Sequence, residues 1–160
     1  MKYNRLWLKP AVSILFLTVF CYLYSVEYYD TITDFTIIKV IDGANSPQKR
    51  DTFVINIANV PDVFGNNIAV RIRGIDTPEL NNKREEIRKI SIQAKEELEK
   101  LFNSGDANSG QKPKIVLYNL GRDKYFQLLA SVKVGNIDVA EYLIKKGLAK
   151  SYDGCVKASW

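Results

Sequence analysis

After residue 34, hydrophobic residues recur along the chain with two different spacings. A spacing of two predicts strands, and a spacing of three to four predicts helices. Alternating or β-branched apolar runs predict five strands, over residues 35–42, 51–58, 68–75, 114–120 and 127–134. In the second of them, Phe53, Ile55 and Ile57 recur at every second position, which predicts one buried face. Apolar residues spaced by three and four predict an amphipathic helix from Lys83 onward and a short helix over 139–147, which ends with basic residues and then Gly147. Gly, Asn, Ser and Pro residues predict loops over 43–50, 59–67 and 103–113.

The order of these elements indicates the fold class. One face of the long predicted helix is apolar, and it is formed by Ile87, Ile90, Ala94, Leu98 and Leu101. Five short strands with a helix after the third suit an α+β, mainly β fold built on a five-stranded OB-type barrel. Periodicity alone leaves a generic α+β domain open.

The first 26 residues differ from the rest of the chain. A basic start is followed by fourteen uncharged, mostly apolar residues, 11–24, and then by polar residues. This layout is typical of an export signal, and its length leaves a cleaved signal peptide and an uncleaved signal anchor open, with a buried core helix as a further alternative. We therefore expect an export segment over 1–26 and a domain over 34–160, located in the periplasm, outside the cell or on the membrane.

Much of the net positive charge comes from that first segment. The 160-residue chain has a net charge of +5, but from residue 26 onward 20 basic residues face 18 acidic ones. A nucleic-acid surface on the domain would therefore be a local patch. The length suits one domain, which we expect to be monomeric.

Missing residue types narrow the chemistry. Histidine is absent, which excludes histidine general bases, Ser-His-Asp triads and histidine metal sites. Beyond the first 26 residues Cys155 is the only cysteine, so a disulfide within the domain is excluded. Catalysis would have to use carboxylates, arginines, lysines, tyrosines or a hard metal ion.

The end of the third predicted strand, VRIRGIDTPEL, carries the candidate chemistry. Arg71 and Arg73 share one face of this strand, because side chains alternate along it. Asp76 and Glu79 follow at the turn, and Asp51 begins the second predicted strand. Such carboxylates hold a hard cation such as Ca²⁺, and a further carboxylate can activate water. Composition by itself favours a simpler interpretation, in which a turn and a helix start carry a surface ion pair with Arg71.

Three segments together resemble the thermonuclease family of staphylococcal-nuclease-like domains: VRIRGIDTPE, GRDKYFQLLASVKV and EYLIKKGLAKSYDG. The resemblance runs in order and spacing from about Phe35 to the C-terminus. It implies an OB-type barrel and Ca²⁺-dependent hydrolysis of phosphodiester bonds in DNA or RNA.

The resemblance also implies roles for single residues. Asp76 resembles a calcium ligand, and Thr77 offers its main-chain carbonyl to the ion. Glu79 resembles the carboxylate that activates water, and Arg71 resembles an arginine on the phosphate. The resemblance also implies contacts with nucleic acid for Lys124, Tyr125 and Tyr152. The match is loosest at Tyr152.

Two positions depart from the pattern of the family. Where the family has Asp-Gly-Asp-Thr, this chain has DGANSPQKRDT, so we assign the metal ligand to Asp51 and keep Asp42 as the alternative. Gln127 stands where the family has its second catalytic arginine, and glutamine carries no charge to stabilise the transition state. Arg73 and Arg122 are the candidates for a replacement charge.

These observations lead to three hypotheses. The first is an exported, Ca²⁺-dependent thermonuclease-like endonuclease that is weakened by Gln127. The second is a catalytically inactive nucleic-acid-binding module on the same fold, and the third is a membrane-tethered interaction domain. Because export would place the domain outside the cytoplasm, extracellular or transferring nucleic acid is the expected target.

Overall fold

Strands build most of the computed structural model, which describes residues 31–41, 51–104, 112–155 and 159–160. The strands are β1 (Thr31–Ile32), β2 (Phe35–Val40), β3 (Thr52–Ile57), β4 (Ile68–Ile72), β5 (Ile75–Asp76), β6 (Ile115–Arg122), β7 (Leu128–Val134), β8 (Ile137–Asp138) and β9 (Lys150–Ser151). The helices are α1 (Asp62–Gly65), α2 (Glu85–Asn103) and α3 (Val139–Lys145). Residues from Ile32 to Trp160 form one compact unit.

The main sheet combines antiparallel and parallel pairs. Its order is β1-β6-β7-β4-β3-β2, and β8 pairs with β7 outside this path. β4 and β7 run parallel, whereas β2 with β3, β3 with β4, and β6 with β7 run antiparallel. β5 and β9 form a separate two-stranded sheet. The five predicted strands correspond to β2, β3, β4, β6 and β7, so a mixed, mainly β fold with helices is confirmed.

The third predicted strand is shorter than its hydrophobic pattern suggested. β4 ends at Ile72, although the alternation extends to Ile75. Gly74 has a φ of 85°, a left-handed conformation that glycine adopts without steric penalty. Beyond this turn, Ile75 and Asp76 pair with β9 instead of continuing the main sheet. Asp76 therefore belongs to the small sheet.

β3 is buried on both faces at its start, although the alternation predicted a single buried face. Phe53 and Ile55 are fully buried as predicted, but Thr52 and Val54 are buried too, while Ile57 is only half-buried. Strands covered on both faces lose the apolar–polar alternation and become continuously apolar. Val54, between two core residues, is the sign of this in the sequence.

The long predicted helix is confirmed as α2, with a shifted start. It begins at Glu85 and not at Lys83, because the side chain of Asn82 accepts a hydrogen bond from the Arg84 N–H at 3.0 Å and holds the preceding residues in a turn. The predicted apolar face points inward: Ala94, Leu98 and Leu101 are buried, and Ile87 and Ile90 are half-buried.

The second predicted helix is confirmed as α3, and both of its ends are capped. At its start the Asp138 side chain accepts a hydrogen bond from the Glu141 N–H at 3.0 Å. At its end Gly147, with a φ of 72°, donates to the carbonyl of Ile144 at 2.9 Å. This is the left-handed glycine ending that the sequence predicted.

A further short helix, α1, lies in the segment 59–67 that was predicted as a loop. Pro61 precedes it, and the N–H groups of Phe64 and Gly65 donate to the Pro61 carbonyl at 2.8 and 3.1 Å. Proline suits a helix start because its φ is fixed near the helical value. A four-residue helix is too short to leave an apolar period in the sequence.

The core lies between the main sheet and the two longer helices. Phe53 of β3 and Phe102 of α2 pack with ring centroids 5.0 Å apart and planes tilted by 60°. Other fully buried side chains come from β4, β6, β7 and α3, including Val70, Ile72, Leu117, Val132 and Leu143. This packing holds β4 rigidly, and the candidate site lies at its C-terminal end.

A cluster of three polar side chains joins α2 to α3. The Tyr142 hydroxyl donates to Oε2 of Glu97 at 2.6 Å, and Lys146 Nζ donates to the same oxygen at 2.8 Å. The hydrogen bond from Lys146 and, to a smaller extent, the one from Tyr142 lower the pKa of Glu97. A lowered folded-state pKa stabilises the fold above the ordinary pKa of the carboxyl, and the stabilisation is lost as the pH falls through the lowered value.

We expect Glu97→Gln to lower the unfolding temperature by about 1–3 °C at neutral pH, since a partly exposed ion pair contributes little. Thermal unfolding followed by circular dichroism measures this, with the exposed Glu96→Gln on the same helix as the control. The difference should shrink as the pH falls through the lowered pKa of Glu97, because the carboxyl is then protonated in the folded and unfolded chains alike. A difference of constant size in acid would contradict this role.

Several predicted features fall outside the described residues. They are the segment 1–26, the alternative ligand Asp42, the loop 43–50 and most of the loop 103–113. Within the part of the chain that the structure describes, no helix has the length and apolar character needed to cross a membrane.

Candidate active site

Arg71 lies at the centre of a group of charged and aromatic side chains at the end of β4. It is half-buried, while its two apolar neighbours in the strand are buried, as the alternation predicted. Nη2 of Arg71 lies 3.5 Å from Oδ2 of Asp51, and Nη1 lies 3.9 Å from Oδ2 of Asp123. The guanidinium carbon is 5.7 Å from the centre of the Tyr152 ring. Two carboxylates and an aromatic ring therefore orient this guanidinium.

The register of β3 against β4 explains why Asp51 meets Arg71. Thr52 is paired with Arg71, and the Asp51 carbonyl accepts a hydrogen bond from the Ile72 N–H at 2.7 Å. The Asp51 side chain is only 1% exposed, and it also accepts from the Thr52 hydroxyl at 3.3 Å. A buried carboxylate requires charged or hydrogen-bonding partners, and Arg71 is a charged partner of Asp51.

Asp76 belongs to the small sheet that follows the end of β4. It is paired with Lys150 of β9 and is only 1% exposed. Its Oδ2 accepts a hydrogen bond from the indole N–H of Trp160 at 3.3 Å. Thr77 is fully buried, and its hydroxyl has no hydrogen-bond partner among the described residues. Glu79, in contrast, is exposed to solvent.

The buried oxygens of this region fit a hard cation. Asp51, Asp76 and the Thr77 carbonyl are oxygen donors of the kind that Ca²⁺ prefers, and water or phosphate would complete its six to eight ligands. The described residues contain no group of three or more acidic, histidine or cysteine side chains placed to hold a metal. Among the described residues, the predicted ligands therefore amount to two carboxylates and one carbonyl, and no site of three carboxylates is formed.

A cavity of about 250 Å³ adjoins Arg71. Four of its lining residues are cationic, namely Arg71, Arg73, Arg122 and Lys124, and Tyr152 lines it as well. Two acidic residues, Asp123 and Asp153, also line it, so the cationic side chains outnumber the anionic ones. The cavity thus forms the local positive patch that the nearly balanced charge of the domain requires for binding an anion such as phosphate.

The β6–β7 hairpin connects Gln127 to the same group. Asp123 Oδ1 accepts hydrogen bonds from the N–H groups of Tyr125 and Gln127 at 2.8 and 3.0 Å, which closes the hairpin loop. Leu129 is paired with Arg71 across β7 and β4. Gln127 directly precedes β7, whose first two residues, Leu128 and Leu129, are paired with Val70 and Arg71. The chain therefore has an uncharged amide immediately before the strand that pairs with β4.

The tip of this hairpin presents aromatic side chains. Tyr125 is 69% exposed and Phe126 is 80% exposed. The ammonium of Lys124 lies 5.1 Å from the centre of the Tyr125 ring. Exposed rings beside cations are typical of surfaces on which nucleic-acid bases stack. Lys124 and Tyr152 line the cavity, whereas Tyr125 points from the tip and is not among the described residues that line it.

Two residues of the site were not predicted. Asp123 contacts Arg71 and closes the hairpin, and Trp160 donates to Asp76. Asp123 lies inside the segment GRDKYFQ that carries the resemblance. Its position directly before Lys124 could therefore have marked it as a residue of the site. Trp160 had no such signal, since its contact spans 84 positions of sequence.

The comparison with protein families agrees with this geometry. The model of the staphylococcal nuclease homologues, SNase, matches residues 69–159, which is more than half of the chain. The chain belongs to the staphylococcal nuclease homologue family, and its domain has a nuclease-like fold of a family that binds nucleic acid. A search of curated proteins found no match. The predicted family is thereby confirmed.

Proposed function

We propose that this chain is an exported, monomeric endonuclease that hydrolyses phosphodiester bonds in DNA or RNA with Ca²⁺. The observation that carries the proposal is the half-buried Arg71, placed between Asp51 and Asp123 and beside a cavity lined with further cations. An oriented guanidinium offers two parallel donors to the oxygens of a phosphate.

In the proposed reaction, Arg71 binds two oxygens of the scissile phosphate and stabilises the charge that develops there. Glu79 accepts a proton from the water whose oxygen bonds to phosphorus, the bond from phosphorus to the leaving oxygen breaks, and solvent water protonates that leaving oxygen. The exposure of Glu79 supports this role, because the side chain is open to solvent water.

The remaining site residues bind and orient. Asp51, Asp76 and the Thr77 carbonyl would hold Ca²⁺, which when bound polarises a phosphate oxygen. Neighbouring nucleotides would be held through a cation and two aromatic rings, supplied by Lys124, Tyr125 and Tyr152.

The loss of the family's arginine at Gln127 makes a slow enzyme the expected form. Two other arginines, Arg73 and Arg122, line the cavity that adjoins Arg71. Both donate hydrogen bonds to backbone carbonyls of β6 or of the β6–β7 hairpin. Arg73 Nε donates to the Asn119 carbonyl at 3.0 Å, and Arg122 Nη1 donates to the Phe126 carbonyl at 2.8 Å. Their positions support a partial replacement of the missing charge.

The same Gln127 favours a second candidate function. A nucleic-acid-binding module could keep the cationic cavity and the exposed aromatic tip while lacking the donor that a fast reaction needs. Such a module would bind single strands in a salt-dependent manner without cleaving them.

The proposal extends to the fold and to the location of the protein. We propose that the main sheet closes as a five-stranded OB-type barrel, since the two ends of its order, β1 and β2, are separated in the chain by only Thr33 and Asp34. The segment 1–26 would direct export of the domain 34–160, as a cleaved signal or as an anchor.

Cleavage of denatured DNA and of RNA by the full chain tests the proposed function. We expect slow cleavage in Ca²⁺ that stops when a chelator is added, because the buried oxygens need the cation to polarise the phosphate. Binding without cleavage under both conditions would replace the enzyme with the binding module. Cleavage that a chelator leaves unchanged would contradict the metal dependence.

A further inference from the structure

Three contacts hold Ser159 and Trp160 against Asp76 and Lys150, which are paired in the small sheet. The indole N–H of Trp160 donates to Oδ2 of Asp76 at 3.3 Å. Lys150, which is paired with Asp76 in the small sheet, has its ammonium 4.6 Å from the centre of the indole ring. The same ammonium donates to the carbonyl of Ser159 at 2.6 Å.

These contacts fix the direction of the indole. The Lys150 ammonium lies over the indole ring and also donates to the carbonyl of Ser159, the residue before Trp160. These two contacts hold the indole so that its N–H points at one oxygen of the Asp76 carboxylate. Trp160 is half-buried and Asp76 is only 1% exposed. A hydrogen bond in such a sheltered place competes little with water, and it restricts rotation of the carboxyl group.

We infer that Trp160 is a positioning residue, which orients the Asp76 carboxylate for a divalent cation. The inference rests on the proposed role of Asp76 in holding Ca²⁺. Ligating carboxylates are themselves held by hydrogen bonds, and loss of such a partner typically lowers metal affinity about 10–100-fold. The indole does not touch the metal in this role and acts only through Asp76.

Calcium affinity of the full chain, measured by titration calorimetry, tests the inference without reference to cleavage. Trp160→Phe keeps an aromatic ring beside Lys150 but removes the N–H, and we expect it to weaken Ca²⁺ binding about 10–100-fold. Tyr142→Phe is the matched control, because Tyr142 also donates to a carboxylate and has a lysine over its ring, away from the site, and loss of its hydroxyl should leave the affinity unchanged.

Thermal unfolding without Ca²⁺ separates positioning from a general structural effect. A positioning role predicts a lower affinity for Trp160→Phe with little change in the unfolding temperature of the metal-free chain. If that variant does not fold, Lys150→Gln decides, because it loosens the indole and leaves the Asp76 side chain intact. Weaker Ca²⁺ binding by Lys150→Gln supports the inference, and unchanged binding overturns it.

The failure of this inference differs from the failure of the proposed function. Equal affinities of the natural chain and Trp160→Phe would overturn the role of Trp160 and leave the calcium site in place. Absence of Ca²⁺ binding by the natural chain would overturn both the proposed metal site and the inference built on it.

Discussion

Glu79→Gln is expected to lower the rate of Ca²⁺-dependent cleavage of denatured DNA about 10²–10⁴-fold, which is the usual contribution of a general base. Glutamine has nearly the same shape as glutamate but cannot accept a proton from the attacking water. Glu79 is exposed, so the substitution should not disturb the core, and the binding of single strands should stay close to that of the natural chain.

A matched control exists on the nearby helix. Glu86 is also an exposed glutamate, and Glu86→Gln changes the net charge by the same amount away from the site. We expect it to cleave at the rate of the natural chain. Equal rates for Glu79→Gln and the natural chain would remove Glu79 from the mechanism and assign the proton transfer to another group.

Gln127→Arg is expected to raise the cleavage rate about 10²–10³-fold, which is the effect typical of one transition-state donor. Position 127 directly precedes β7, which pairs with β4 at Leu128 and Leu129, and its N–H donates to Asp123, the residue that contacts Arg71. An arginine there would add a charged, forked donor to the charge that develops on phosphorus. Single-turnover cleavage with Ca²⁺, measured beside the natural chain, gives the ratio directly.

Two comparisons make this result specific. Gln93→Arg places the same new charge on an exposed position of α2, and we expect it to leave the rate unchanged. Arg73→Ala should lower the rate of the natural chain, and should lower it less in the Gln127→Arg background, if Arg73 replaces the missing charge. Unchanged cleavage in Arg73→Ala would contradict that replacement, and no gain in Gln127→Arg would contradict the importance of position 127.

Either outcome at position 127 is informative about the class of the protein. Activity in the natural chain would define a nuclease that tolerates an amide at this position. Activity that appears only with arginine would define a preserved site in which one side chain prevents turnover, and would favour the nucleic-acid-binding module.

The fold could be predicted from sequence where local patterns control structure. The apolar face of α2 and the glycine after α3 are signals within a few residues, and both predictions are confirmed. The third predicted strand was too long, because the left-handed turn at Gly74 and the pairing of Ile75 with Ser151 join segments far apart in sequence. α1 was missed because its four residues are too few to produce a period.

Some features of the candidate site likewise follow from local sequence, whereas others depend on contacts between distant segments. The face of Arg71, opposite its apolar neighbours, follows from strand alternation and is confirmed by the burial of those neighbours. The contacts of Arg71 with Asp51 and Asp123 depend on the register of three strands. The roles of Glu79, Lys124, Tyr125 and Tyr152 stay predictions that the experiments above address.

By itself, the sequence determined the kinds of residue that the site can use and the strand end at which they occur. It excluded histidine chemistry through composition, and it placed Arg71, Asp76 and Glu79 together through short spacing. Only the tertiary structure decided that Asp123 contacts Arg71 and that Trp160 donates to Asp76. Short spacing brings residues together through the backbone alone, whereas such distant contacts arise only when strand pairing and core packing bring their segments together.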